Sequence, residues 1–230
     1  MRSEYDSQRS EKAGWVETQL TAYYGPRPYD PKVFDQDLVG ALVATILSQH
    51  TSDLNSGRAY AQLKAAFPGG WDAVREARAD EIAGAIRNGG LADTKAARIK
   101  ALLGDILERN GSTSLDVLRQ MDDARAMEYL TSFHGVGPKT AACVLMFNLG
   151  RPVIAVDTHV HRVSLRVGLV APRTTAERTQ DELLELIGPD SAYSFHVHLI
   201  EHGRRLCHAG RPSCDRCPLA QGCDYLHERQ

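Results

Sequence analysis

Apolar residues recur at offsets of three and four along almost the whole of this chain, and that periodicity restricts it to an all-α fold. Leu38, Leu42, Thr45 and Ile46 form one stripe, and Ile99, Leu102, Leu103, Ile106 and Leu107 form a second. The same spacing predicts helices near residues 55–67, 79–87, 114–120, 122–132, 137–149, 157–168, 174–187 and 192–206. Between them stand Pro68-Gly69-Gly70, Asn88-Gly89-Gly90, Asn110-Gly111 and Gly188-Pro189, all of them residues that end helices. The run Val153-Ile154-Ala155-Val156 has strand character, but at four residues it reads as a buried connector. No internal repeat is evident, so a bundle is expected and not a solenoid.

With 230 residues the chain can enclose one large core or two small ones. Its 43% hydrophobic and 24% charged residues suit a soluble globular protein. No apolar stretch reaches the length of a membrane span, and the polar start Met1 to Lys12 is no signal peptide. A cytoplasmic monomer is therefore expected, associated with the nucleoid if the source is bacterial. Net charge is only −2, so any nucleic-acid surface must come from a local concentration of basic groups. Arg204, Arg205, Arg211 and Arg216 supply one, with His208 beside them and Asp215 the nearby acid.

Those arginines lie among four cysteines, Cys207, Cys214, Cys217 and Cys223, in a C-x6-C-x2-C-x5-C pattern. A CxxC pair brings two thiolates to one metal centre, and the longer spacings let loops supply the rest. Gly210, Pro212, Pro218 and Gly222 keep the segment out of long helices. Disulfides are disfavoured in a reducing compartment. On spacing alone zinc and an iron–sulfur cluster stand level. Cys143 sits in an apolar run and reads as core.

A second informative segment is Phe133-His134-Gly135-Val136-Gly137-Pro138-Lys139-Thr140. It joins two predicted helices through a turn with two glycines, and Pro138 stands where a first helical residue is favoured. Such a turn is either a plain helical hairpin or a place where a phosphate meets free backbone N–H groups. Lys139 falls in the first turn of its helix, where the macrodipole favours a neutral amine over an ammonium. It is then a Schiff-base nucleophile or a simple phosphate contact. Asp157 precedes the helix starting near 158 and reads first as its cap, with a second use as a carboxylate that assists proton transfer or stabilises a cation. His159 and His161 lack the spacing of a helical zinc pair.

The stretch Leu130 to Ala141, the segment Ala155-Val156-Asp157-Thr158-His159 and the four-cysteine ending together resemble the endonuclease III family of helix-hairpin-helix DNA glycosylases. The likeness runs from about Leu38 to Tyr225. It implies a [4Fe-4S] cluster on Cys207, Cys214, Cys217 and Cys223. It also implies a six-helix lobe over 31–145, a cluster lobe from 1–30 plus 146–230, and damaged double-stranded DNA held in the cleft between. Lys139 takes the place of the catalytic lysine and Asp157 that of the essential aspartate. Leu47-Ser48-Gln49-His50-Thr51-Ser52-Asp53 matches the segment that fills the gap left by a flipped base. It carries His50 where a glutamine is usual, after Gln49, so either residue could fill the gap. Leu91 aligns with a leucine wedge. Gly135, Val136 and Gly137, with Arg205 and Arg211, are the implied DNA contacts. The implied activity is removal of oxidised pyrimidines by base flipping, Schiff-base formation and β-elimination. Mismatch-directed or alkylated-base glycosylases share the fold, and a non-catalytic DNA-binding module is the rival from another class.

Overall fold

A computed structural model describes residues 4–228. Among these the chain is helical, with no strand. It divides into two compact units, Pro31–Leu149, here the hairpin unit, and Met1–Asp30 with Gly150–Gln230, here the cysteine unit.

The hairpin unit is organised on α2 (Leu38–Ser48). Eight of its residues are buried, Leu38, Val39, Gly40, Ala41, Leu42, Val43, Ile46 and Leu47, so this helix is apolar on nearly every side and belongs inside. Asp37 caps it by accepting from the Gly40 N–H at 3.0 Å. Against it lie α3 (Asp53–Ala66), α6 (Ala92–Asn110) and α8 (Pro138–Cys143), and α7 (Asp123–Thr131) packs on α8. Two short helices, α4 (Gly70–Glu76) and α5 (Ala79–Ala85), pack on α6, whose inner face presents Ala96, Ile99, Leu102, Leu103 and Ile106. A Cβ on Gly40 would stand 2.4 Å from the Tyr60 hydroxyl, which shows how closely α2 and α3 approach.

Three local results depart from the periodicity. Residues 114–120 form a single 3-10 turn, Asp116–Gln120. Ser114 accounts for this, because its hydroxyl accepts the Asp116 N–H at 3.1 Å and donates to the Asp116 carboxylate at 3.0 Å, competing with a helical start. Helix α4 is additional, since Gly70, at φ 77°, both follows the end of α3 and opens the next helix. The helix expected over 137–149 is α8 followed by a π-helical turn, Val144–Asn148.

The cysteine unit is formed by α1 (Glu4–Tyr24), α9 (Thr158–Val167), α10 (Ala176–Leu186), α11 (Ala192–Arg205) and the short α12 (Asp224–His227). Its core joins Val16 and Leu20 to Val160, Val163, Phe195 and Leu199, with Leu219 and Cys223 from the terminal loop. Val153-Ile154-Ala155-Val156 is wholly buried and irregular. Buried histidines find carbonyl partners: His196 donates to Ala155 O at 2.8 Å and His198 to Gly25 O at 2.9 Å. Arg9 binds Leu169 O at 2.6 Å and Glu182 at 2.5 Å, fastening α1 beside α10. No described helix is long and apolar enough to cross a membrane.

Candidate functional site

In the hairpin unit, α7 ends at Thr131 and the chain turns through Phe133, which is buried, to Gly135 at φ 78°. A Cβ on Gly135 would lie 2.7 Å from Arg98 Nε, so the turn needs glycine both for its left-handed backbone and for the guanidinium beneath it. We expect Gly135→Ala to lower stability by about 2 kcal/mol, or about 4–8 °C in Tm. An unchanged thermal unfolding curve would show that the turn tolerates a side chain. Gly137 is the N-cap of α8 and Pro138 its first residue. Thr140, Ala141, Ala142 and Cys143 are buried behind them, and Lys139 alone among these early helix positions after Pro138 points outward.

Val136 is only 4% exposed and its N–H bonds Phe133 O at 3.1 Å, so its side chain faces the core. Gly135 and Gly137 on either side of it are exposed, as are His134 and Pro138.

Two loops of this unit hold non-glycine residues in the left-handed region, His50 at φ 54° and Leu91 at φ 50°. Both are exposed, Leu91 to 60%. Gln49 is tied inward: its amide nitrogen donates to Thr140 Oγ1 at 3.3 Å, and its oxygen accepts from Arg98 at 2.7 Å. Arg98 thus joins the Gln49 segment to the hairpin, a role that no local pattern around it announces. Behind the loops Lys95 is buried, its ammonium bonded to Leu47 O at 2.7 Å, Gly89 O at 2.8 Å and Thr51 Oγ1 at 2.9 Å.

In the cysteine unit, Asp157 caps α9, its Oδ1 accepting from the His159 and Val160 amides at 2.8 Å each. Arg162 donates to His159 Nδ1 at 3.0 Å, to Gly203 O at 2.9 Å and to Cys207 O at 2.9 Å, binding α9 to α11 and to the start of the cysteine loop. His161 donates to Thr174 O at 2.8 Å. Arg205 pairs with Glu201 at 2.8 Å and lies over the Tyr24 ring, while Arg211 is exposed on the loop.

Cys207, Cys214, Cys217 and Cys223 line one largely apolar cavity with Arg166, His202, Leu206 and Pro212. No three described His, Cys, Asp or Glu side chains converge on a point suited to one ion. Arg166 donates to Cys207 Sγ at 3.3 Å and to the carbonyls of His208 and Ala209 at 2.7 Å. His202 Nε2 lies 3.5 Å from Cys217 Sγ, and its Nδ1 lies 3.1 Å from the Tyr24 hydroxyl. Burial holds His202 down to about 4, so the ring is neutral. A tyrosine hydroxyl donating to Nδ1 leaves Nε2–H to face the sulfur. Burial and the neighbouring thiols push Cys217 up to about 11, and burial raises Cys223. As neutral thiols the four need no counter-charge in this cavity, whereas as thiolates they would need a cationic centre beside them.

A helical chain that presents a lysine behind a glycine hairpin and closes on a four-cysteine loop has the plan of a helix-hairpin-helix base excision enzyme. Residues 43–189 match the model of the HhH-GPD superfamily base excision DNA repair proteins. Endonuclease III of Rickettsia conorii is 37% identical over 202 residues, covering 87% of this chain and 90% of the relative. Endonuclease III of Thermotoga maritima is 32% identical over 195 residues, covering 85% and 86%. The fold is shared with the structure of a trapped endonuclease III–DNA covalent intermediate, at a TM-score of 0.77, 24% identity and coverage of 96% and 98%. The chain belongs to the HhH-GPD superfamily, as an endonuclease III-like DNA glycosylase of base excision repair.

Proposed function

We propose that the protein removes oxidised pyrimidines, such as thymine glycol, from duplex DNA and then nicks the strand at the abasic site. The observation that carries this reading is Lys139, an exposed amine at the second position of α8 with buried residues behind it. The relatives named endonuclease III and the covalent DNA complex of that name support it.

Lys139 Nζ, as the free amine, attacks the anomeric carbon of a nucleotide flipped from the stack. The glycosidic bond breaks with its electron pair going to the base, which leaves carrying the proton given up by the attacking nitrogen. Ring opening gives an iminium between Nζ and the sugar. Loss of a C2′ proton expels the 3′ phosphate, and water hydrolyses the imine to return the amine. The Asp157 carboxylate stabilises the cationic sugar. His50 fills the vacated place in the duplex, because Gln49 is already held by Arg98 and Thr140. Leu91 is the wedge. Gly135, Gly137, Arg211 and Arg205 contact the backbone. The four cysteines hold a [4Fe-4S] cluster that supplies no step of the chemistry and fixes the loop bearing Arg211. The protein acts as a monomer.

Duplexes carrying thymine glycol, a plain abasic site, a G·T mismatch or 3-methyladenine, incubated with borohydride, test this. We expect a covalent adduct and nicking with the first two. Tight binding without an adduct would replace the enzyme with a binding module, and release from the mismatch or the alkylated base alone would overturn the substrate assignment.

A further inference from the structure

We propose that Lys95 is a positioning residue that sets the His50 and Leu91 loops as one base-probing unit. The proposal deepens the glycosylase reading and rests on it. It starts from a charge that the fold alone does not call for. Lys95 is 3% exposed, yet its three ammonium donors meet two carbonyls and a hydroxyl, with no carboxylate among them. Burying an ammonium without a counter-charge is costly, and a methionine would fill the same space without that cost.

What the charge does provide is a three-way tie. Leu47 O belongs to the last turn of α2, three residues before His50, and Gly89 O closes a 3-10 turn two residues before Leu91. Each is a negative helix end, where a cation is favoured. Thr51, one residue after His50, accepts from Lys95 and donates its own hydroxyl to Gly89 O, so the two loops are also joined directly. The Lys95 N–H holds Leu91 O at 2.9 Å. Every tie therefore falls within three residues of one of the two strained positions, His50 at φ 54° and Leu91 at φ 50°. Strain of that kind persists only where the surroundings over-determine it. One helical turn on, Arg98 holds Gln49 from the same helix, so the inner edge of α6 grips both loops. Two side chains that must enter one duplex together need fixed spacing, and a point charge with three donors supplies it.

Lys95→Met tests this, with 2-aminopurine placed opposite an abasic site so that it brightens when unstacked. Affinity for undamaged duplex is the internal reference. We expect brightening to fall at least about fivefold while undamaged-duplex affinity stays within about twofold and the protein melts cooperatively. Brightening at the wild-type level, or an equal loss of both signals, would overturn the proposal. Should Lys95→Met not fold, Thr51→Val decides on the same two signals, because it removes the bridging hydroxyl and leaves the ammonium two carbonyls. Borohydride trapping by the wild type is read separately: its failure sinks the glycosylase reading, whereas trapping with wild-type brightening in the variant sinks only this inference.

Discussion

Lys139→Gln is expected to abolish borohydride trapping and to slow base release by about 10³-fold or more, since in the proposed mechanism its amine is the nucleophile that forms the covalent sugar adduct. The position makes this a clean experiment. Lys139 is exposed in the first turn of α8, and its neighbours Thr140 to Cys143, not its own side chain, pack the helix. Glutamine is a good helix former, so Tm should move by no more than about 2 °C. Affinity for an undamaged duplex should weaken only by the share of one phosphate contact. Trapping at the wild-type level would assign the nucleophile elsewhere. Loss of trapping together with a large loss of non-specific binding would return Lys139 to the role of a plain cation.

Lys139 also shows what the sequence makes legible. A residue that follows a Gly-Val-Gly-Pro turn has its place fixed by backbone rules, so its helix, turn and exposure can all be read in advance. The same holds for Asp157 as a cap and for the stripe Ile99, Leu102, Leu103 and Ile106, which needs only a periodicity of 3.6. The hidden features depend on contacts far apart in sequence. Lys95 reads as a surface residue of a polar helix, because nothing local announces that carbonyls from residues 47 and 89 will close over it. Gln49 and His50 are indistinguishable as a dipeptide. They separate only when Arg98 and Thr140 claim the first and a left-handed backbone turns out the second. The burial of Val136 is hidden for a related reason: a motif names three consecutive residues, whereas the turn buries the middle one.

Cys214→Ser is expected to cost at least about 3 kcal/mol of stability, a fall of about 6–12 °C in Tm, together with loss of broad absorbance near about 400 nm. The size of the effect follows from how little else orders the terminal loop. Between Cys207 and Cys223 its regular structure is two 3-10 turns, Cys214–Arg216 and Ala220–Gly222, and Leu219 is its buried aliphatic side chain. Arg162 and Arg166 grip the carbonyls of residues 207–209 and the Ser213 N–H bonds Leu206 O at 2.9 Å, so on the proposed reading the stretch from Cys214 to Cys217 depends on the cluster it would hold. Cys143→Ser is the control. Cys143 is buried in α8 and outside the quartet, so its serine costs about 1–2 kcal/mol by placing a hydroxyl in the core, yet it should keep the absorbance. A wild-type protein that is colourless and holds one zinc ion would replace the cluster with a tetrahedral site. Full absorbance in Cys214→Ser would remove that residue from the ligand set. If the assignment holds, affinity for duplex should fall in Cys214→Ser and not in Cys143→Ser, because the loop that loses its order is the one that carries Arg211.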